Sequence, residues 1–138
     1  MIFFNQYFNP KNNSYSIIIE DDGRVAYAYL LEKESIIGDV WLYNRATTPE
    51  ETDWQNKADL PFLNPREYIR FSSKIEHLSE FSDVKIQWFD LGDNVEISAK
   101  IFINEKMIAI LKGGHKPGWS SMVKKDGPLA KMIKCSNT

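Results

Sequence analysis

The loop Lys112–Trp119, with the sequence KGGHKPGW, concentrates the residue types that could do chemistry in this chain. Adjacent glycines can present backbone N–H groups to an anion, and Lys116 would add a positive charge for a phosphate or carboxylate. The GxxxxGK[ST] spacing of a phosphate-binding P-loop is missing. The alternative, which we favour, is a sharp exit from a strand, with Trp119 packed into the core.

His77 and His115 are the chain's two histidines, and their spacing gives little support to a metal site. Such a site would need both histidines together with carboxylates, and the sequence contains neither HxH nor HExxH. We therefore predict no metal and no cofactor.

A search for a nucleophile also finds no catalytic pattern. The single cysteine, Cys135, lies near the end of the sequence, and no serine sits in a GxSxG elbow. Carboxylate pairs such as Glu50/Glu51 lie in turn-like sequences, where acids are solvated by default. The sequence therefore leans against an enzyme, and one that uses the His115/Lys116 loop stays as an alternative.

A second candidate site is the acidic loop that contains Glu50, Glu51, Asp53 and Trp54, with Arg45 before it. Acids around one aromatic anchor are typical of an energetic hot spot and its rim in a protein–protein interface. The alternative is a solvated loop whose tryptophan packs inward. Together with His115, Lys116 and Trp119, these five residues form the predicted ligand- or partner-binding set.

Charge is distributed unevenly along the chain, although the formal net charge is only −2. From Glu20 to Asp59 there are ten acidic and four basic residues, a difference of −6, whereas from Lys112 onward six lysines face one acid, a difference of +5. The small net charge and the scarcity of arginine argue against nucleic acid. The opposite charges suit electrostatically steered association with a protein.

Cysteine usage and hydropathy indicate a soluble protein of a reducing compartment. One cysteine allows no intrachain disulfide, the first ten residues lack the basic start of a signal peptide, and no apolar run is long enough to cross a membrane. We expect a cytoplasmic protein without a membrane partner, and the many lysine, isoleucine and asparagine residues suggest a bacterial source.

These candidate sites must be positioned by β-strands, because the clearest pattern in the sequence has a period of two. Val84, Ile86 and Trp88 alternate with polar residues, and so do the apolar residues of Val95–Ile103. With a third run after Asn104-Glu105, they predict a three-stranded antiparallel meander over residues 84–112.

A second meander is predicted over residues 14–43. Asp21-Asp22-Gly23-Arg24 lies between two β-prone runs, which is a strong hairpin signal. The run Ile36–Tyr43 contains Gly38 and Asp39, which suggest a bulge or an edge strand. Ile2–Phe8 is either a further short strand or an apolar arm.

The remaining segments are less regular. Residues 44–82 form an insert, in which short helices are predicted over Pro65–Phe71 and around Ile75–Phe81, with a strand over Glu67–Ser72 as the rival. Residues 113–138 read as a loop followed by a short C-terminal helix, Pro128–Lys134.

Two meanders with one apolar face each are best buried against each other. We therefore predict one mainly β domain over residues 1–138, an antiparallel β-sandwich or flattened barrel. The leading function is a small non-catalytic binding module that acts through a protein partner, of the immunity or adaptor type. A carrier or sensor of a small apolar ligand, with an aromatic pocket between the sheets, is the alternative. Edge strands such as Ile36–Tyr43 leave a homodimer open.

Overall fold

The structure is a computed structural model that describes residues 3–44, 62–64, 66–69, 84–89 and 97–133. Within these ranges the chain forms β-strands and a single turn of 3-10 helix, Arg66–Tyr68. The strands are β1 (Phe3–Phe8), β2 (Tyr15–Asp21), β3 (Val25–Glu32), β4 (Ser35–Asn44), β5 (Val84–Phe89), β6 (Ser98–Ile103), β7 (Lys106–Lys112), β8 (Trp119–Ser120) and β9 (Lys131–Met132).

The first sheet has the order β1-β2-β3-β4, with antiparallel pairing throughout. The predicted meander is confirmed, and the N-terminal segment adds a fourth strand to it. The Asp-Gly turn is also confirmed: Gly23 has a φ of 92°, and the Asp22 carboxylate accepts hydrogen bonds from the N–H groups of Arg24 and Val25. Asp and Gly thus supply the cap and the left-handed backbone that the turn needs.

Strand β4 has both features that Gly38 and Asp39 predict. It lies at the end of the sheet order, and its pairing with β3 shifts register where Leu30 pairs with Gly38 but Leu31 pairs with Ile36. Its outer edge nevertheless bonds to the second half of the chain. The carbonyls of Ile37 and Asp39 accept from Gly114 and Gly118, so this edge is already occupied.

The second sheet has the order β5-β6-β7-β8-β9. Its first three strands are the predicted meander, although β6 begins at Ser98, and Val95 lies outside the described residues. The Ala109–Ser120 and Ile110–Trp119 pairs add β8 antiparallel to β7, and β9 is parallel to β8.

The predicted C-terminal helix is wrong over the described residues 128–133. Lys131–Met132 forms β9, and the Lys131 N–H donates to the Gly118 carbonyl at 2.8 Å. The Met132 N–H donates to the Asp126 carboxylate, also at 2.8 Å. A segment this short gains little from helix formation alone, so tertiary backbone partners decide its conformation.

The insert is described only at residues 62–64 and 66–69. The helix predicted over Pro65–Phe71 is reduced there to the 3-10 turn, and Ile69 forms an isolated antiparallel bridge with Val123. The second predicted helix lies outside the described residues. The described part of the insert adds Ile69 to the core and provides a polar anchor, because the Tyr27 hydroxyl donates to the Phe62 carbonyl at 2.7 Å.

The two sheets bury their apolar faces in one hydrophobic cluster. Both sheets contribute side chains that are less than 2% exposed to this cluster. Of the strands of the first sheet, β4 makes the most extensive contact with the second, against β7 and β8. This is a β-sandwich that does not close into a barrel. Its inner faces include Ile17, Ile19, Leu30, Val40, Ala99, Ile101, Ala109 and Leu111. Alternation therefore sends the other half of each strand to an outer face.

Candidate functional site

The loop Lys112–Trp119 does not form an anion-binding nest. The N–H groups of Gly113, Gly114, His115 and Gly118 donate to the carbonyls of Ile97, Ile37, Lys112 and Asp39, at 2.6–3.1 Å. These N–H groups therefore hold the loop against β4 and the start of β6 and are not available to a bound anion. The sharp exit from β7 is confirmed, with Gly114 at a φ of 83°.

The rings of His115 and Trp119 contact each other at the end of this loop, and the Lys131 side chain from β9 lies over the Trp119 ring. The rings of His115 and Trp119 lie 5.3 Å apart, and the Lys131 ammonium lies 5.3 Å from the centre of the Trp119 ring. Trp119 is half-buried on the outside of the second sheet, so its expected place in the core is wrong. The cluster joins a cation to an aromatic ring, a chemistry suited to recognition.

Asp39 faces this loop from β4. Burial raises the pKa of its half-buried carboxyl above the ordinary value, and the positive charge of Lys116 lowers it in part. Lys116 itself is exposed. The loop thus brings one carboxylate and one ammonium near each other at the boundary between the sheets.

The raised pKa of Asp39 predicts a pH-dependent effect on stability. The folded state holds the Asp39 proton more tightly than the unfolded state. The stability of the wild type therefore falls as the pH rises from the ordinary pKa near 3.8 through the raised pKa of the folded state. Asp39→Asn should therefore be more stable than wild type at neutral pH, by less than about 1 kcal/mol because the side chain is half-exposed. The gain should vanish below about pH 4.

Thermal unfolding of both proteins at neutral and acidic pH measures this difference. Glu34→Gln, which removes the charge of an exposed carboxylate in the β3–β4 turn, is the control for the general loss of one negative charge. A gain for Asp39→Asn that is equal at both pH values would contradict the assignment.

The outer face of the first sheet combines acids with exposed aromatic rings. Phe4 and Phe8 are 55% and 56% exposed on β1. The strand register places Phe4 beside Glu20, and Tyr29 beside Asp39. We call this surface, made up of Phe4, Phe8, Ile18, Glu20, Tyr29 and Asp39, the acidic face.

Two tyrosines of β3, Tyr27 and Tyr29, lie on the same side of the first sheet as the acidic face. Their rings stack with centroids 6.1 Å apart, and the Tyr29 hydroxyl donates to Glu20 at 3.1 Å. Burial is the main cause that raises the pKa of both phenols, and the Glu20 carboxylate raises that of Tyr29 further. Both side chains are therefore neutral hydrogen-bond donors over the physiological range.

These two phenols should remain protonated when an exposed tyrosine ionises, near pH 10. Because their folded-state pKa values are raised, the unfolded chain releases its protons first, and stability should fall as the pH rises above about 10. Ultraviolet difference absorption of tyrosinate should show fewer than the six tyrosines ionising before the protein unfolds. In Glu20→Gln the phenol of Tyr29 should ionise at lower pH. Ionisation of all six before unfolding would disprove the prediction.

The outer face of the second sheet is basic and aromatic. Cross-strand pairing aligns Gln87, Lys100, Ile110, Trp119 and Lys131 in one row across five strands. The Lys100 ammonium lies 5.4 Å from the centre of the Phe89 ring. We call this surface the basic face; its lysines and rings are Lys85, Phe89, Lys100, Phe102, Lys112, Trp119 and Lys131.

Strand charges are therefore segregated between the sheets. Strands β1–β4 carry acids and no base, and strands β5–β9 carry lysines and no acid. The acids are Glu20, Asp21, Glu32 and Asp39, and the lysines are Lys85, Lys100, Lys106, Lys112 and Lys131. Asp21 is buried, where it accepts a 2.6 Å hydrogen bond from Tyr43. The others lie at the edges or on the outside of a two-layer fold, so the described strands of the two sheets carry opposite charge.

Comparisons with protein-family models, with curated proteins and with solved structures each found no match. Among the described residues, no group of three or more metal-ligating side chains is assembled, and no helix has the length and apolar character needed to cross a membrane.

The predicted site residues are only partly placed by the structure. His115, Lys116 and Trp119 belong to one loop, as expected from their spacing, and His115 contacts Trp119. Arg45, Glu50, Glu51, Asp53 and Trp54 lie outside the described residues, so their role stays a prediction. The acidic face was missed in the sequence, because the run FFNQYF has no clean period of two and only the strand register places Phe4 beside Glu20.

A separate cleft lies between the β1–β2 turn and β5. It has a volume of about 480 Å³, and its walls come from the turn Asn9–Lys11 and from Ile86–Phe89. Trp88 and Phe89 give it an aromatic side, and Lys11 lies opposite. The cleft has the size of a small-molecule site, and it lies where the β1–β2 turn of the first sheet meets the edge strand β5 of the second.

Proposed function

We propose that this protein is a small non-catalytic binding module, of the immunity or adaptor type, that acts through a protein partner. The observation that supports the proposal most strongly is the segregation of strand charges on the two sheets. Charges that neutralise each other within one face give little steering, whereas an acidic face opposite a basic face orients an approaching charged protein. A reducing cytoplasm, which the single cysteine predicts, suits this role.

The acidic face is the proposed contact surface. Phe4 and Phe8 are more than half exposed, which is unusual for large apolar side chains beside a well-packed core. Aromatic side chains are enriched at the buried centre of protein interfaces, and complementary charge around them orients the partner. The partner should therefore present apolar pockets within a basic surface.

Quantitative capture from the host lysate, with matched variants, tests the proposal. The double variant Phe4→Ser, Phe8→Ser should lose a protein that wild type retains. Ile36→Ser, which removes a side chain 46% exposed on β4, should retain it. Glu20→Lys should weaken capture most at low salt, because steering by surface charge is screened by ions.

Equal retention by wild type and the double variant would exclude the acidic face as the contact. The acidic loop predicted from the sequence is tested in the same assay by reversing Glu50, Glu51 and Asp53 to lysine. Loss of the partner in that variant alone would move the contact to the loop and keep the proposed function.

The cleft beside β5 favours one further candidate, a carrier or sensor of a small aromatic or apolar ligand. Trp88 lines the cleft, so an occupied cleft should change tryptophan fluorescence in wild type and not in Trp88→Phe. Ligands in a metabolite extract should also raise the melting temperature. A protein that shows neither response does not act as a carrier. The enzyme alternative is not carried forward, because His115 packs on Trp119 and Lys116 is exposed.

A further inference from the structure

The two edges of the first sheet differ in what covers them. At the β4 edge, the carbonyls of Ile37 and Asp39 accept hydrogen bonds from the loop after β7, and the Trp41 N–H donates to the Leu129 carbonyl at 3.0 Å. At the other edge, β1 pairs only with β2 among the described strands. The edge expected from the sequence to pair between chains is thus closed, and β1 presents the edge that no other described residue covers with backbone hydrogen bonds.

The pairing of β1 with β2 shows which backbone N–H and C=O groups of β1 point away from β2, toward the free edge of the sheet. The Asn9 N–H donates to the Tyr15 carbonyl at 2.9 Å, in register with the β1–β2 ladder. The backbone N–H and C=O groups of the odd-numbered residues of β1 therefore bond to β2, and those of the even-numbered residues point toward the free edge. The outward N–H and C=O groups are those of Phe4, Gln6 and Phe8. The Gln6 N–H is capped only by the side-chain oxygen of its neighbour Asn5, at 2.9 Å.

Strand β1 lacks the features that normally prevent edge-to-edge association. Its sequence, FFNQYF, contains no charge and no proline, and its pairing with β2 shows no register shift. By contrast, the edge strand β5 of the second sheet carries the exposed Lys85. Natural edge strands are usually protected by charges, prolines or bulges, so an unprotected edge six residues long indicates a strand partner.

We propose that β1 pairs antiparallel with β1 of a second copy of this chain, about a two-fold axis at Gln6. The residues whose backbone groups point to the free edge form a palindrome, Phe4-Gln6-Phe8. Pairing about Gln6 therefore puts each Phe4 opposite the partner copy's Phe8. About six backbone hydrogen bonds form, two for each outward-facing pair. The two first sheets become one continuous sheet, and the phenylalanine rings of both copies cluster on one outer face.

Self-pairing is favoured over pairing with a strand of another protein. An uncharged strand brings no like charges together when it meets its own copy, and its palindrome gives both copies identical contacts, as a two-fold interface requires. A foreign strand would normally be selected by charges or by side-chain pockets along the edge, and β1 offers no charge to select one.

Replacing Gln6 provides the test, because its backbone N–H points into the proposed interface and not toward β2. Gln6→Pro removes that N–H while keeping the backbone bonds to β2, and Gln6→Ala keeps the N–H. Both variants lose the 3.0 Å hydrogen bond that the Gln6 side-chain amide donates to Ser16 Oγ, so Gln6→Ala controls for that loss. Analytical ultracentrifugation across about a hundredfold range of concentration should give twice the 16.0 kDa chain mass for wild type and Gln6→Ala, and the single-chain mass for Gln6→Pro.

Amide exchange of the wild-type protein keeps the test decisive if Gln6→Pro fails to fold. In the dimer, the amides of Phe4, Gln6 and Phe8 should be protected at high concentration and lose that protection on dilution. A wild type that stays monomeric, a Gln6→Pro variant that still dimerises, or outward amides that exchange freely in a dimer would each overturn the proposal. Partner capture by monomeric Gln6→Pro would show that the proposed function does not depend on the dimer.

Discussion

Replacing Gly118 with alanine should destabilise the protein by about 2–4 kcal/mol. A Cβ atom at this position would lie 2.5 Å from the Ile110 carbonyl oxygen, closer than any normal contact. The neighbour is backbone and cannot rotate away. The Gly118 N–H donates to the Asp39 carbonyl at 2.6 Å and its carbonyl accepts from Lys131, so relief of the clash must disturb the bonds to β4 or β9.

Gly113→Ala is a matched control within the same loop. Its Cβ would meet the Ile37 and Ile97 side chains at 3.4 and 3.5 Å, which are ordinary contacts. We expect its stability to stay within about 1 kcal/mol of wild type, because alanine also reduces the entropy of the unfolded chain. Denaturant unfolding of both variants measures the difference. Equal midpoints would show that the loop is not clamped between β4, β7 and β9 as described.

Asn44→Ala should also be strongly destabilising, by about 3 kcal/mol. The Asn44 side-chain oxygen accepts from the Trp41 indole at 2.8 Å and from the Asn64 N–H at 2.9 Å, and its amide donates to the Asn64 carbonyl at 2.8 Å. All three residues are buried. Alanine would therefore leave two donors and one acceptor without these bonds in a place that water does not reach.

Asn64→Ala is the comparison that separates the hydrogen bonds from simple loss of volume. The Asn64 side chain is 1% exposed, yet its amide has no hydrogen-bond partner among the described residues. Asn64→Ala deletes the same side-chain atoms as Asn44→Ala but leaves the hydrogen bonds of Asn44 in place. It should therefore lower the free energy of unfolding by about 1 kcal/mol or less. If Asn64→Ala costs as much as Asn44→Ala, the network does not hold the insert to β4.

The sequence was sufficient to predict the strands that alternate cleanly. The period of two in Val84–Lys112, and the β-prone runs on both sides of the Asp-Gly turn in Ser14–Tyr43, led to both meanders and to the sandwich. These signals are local, because a half-buried strand needs one apolar face and a tight turn needs particular residues.

The errors came from segments whose conformation depends on distant backbone. Lys131–Met132 has a helix-like pattern but becomes a strand, because the carbonyl of Gly118 lies next to its N–H. Trp119 was expected in the core, but the register of Ile110 with Trp119 turns its ring to the outside. Neither register nor sheet order is written in a local period, so neither could be predicted.

The acidic and basic faces show how much of a site depends on topology. The sequence revealed an acidic middle and a basic tail, but Lys85 and Lys100 lie in neither segment. They join Lys112 and Lys131 only because β5 to β9 form one sheet. The exposed Phe4 and Phe8 likewise join Glu20 only through the β1–β2 register. A linear count of charges could suggest two polarities but could not assign them to two surfaces.

Native mass spectrometry of the protein, recovered gently from its own host without overexpression, tests the binding-module proposal most directly. We expect a species that contains this chain together with a second, different protein. This species should be absent in the double variant Phe4→Ser, Phe8→Ser. A species heavier than the chain by only a few hundred daltons would instead identify a carried ligand. The chain alone, or only its own dimer, would contradict the proposal that it acts through a protein partner.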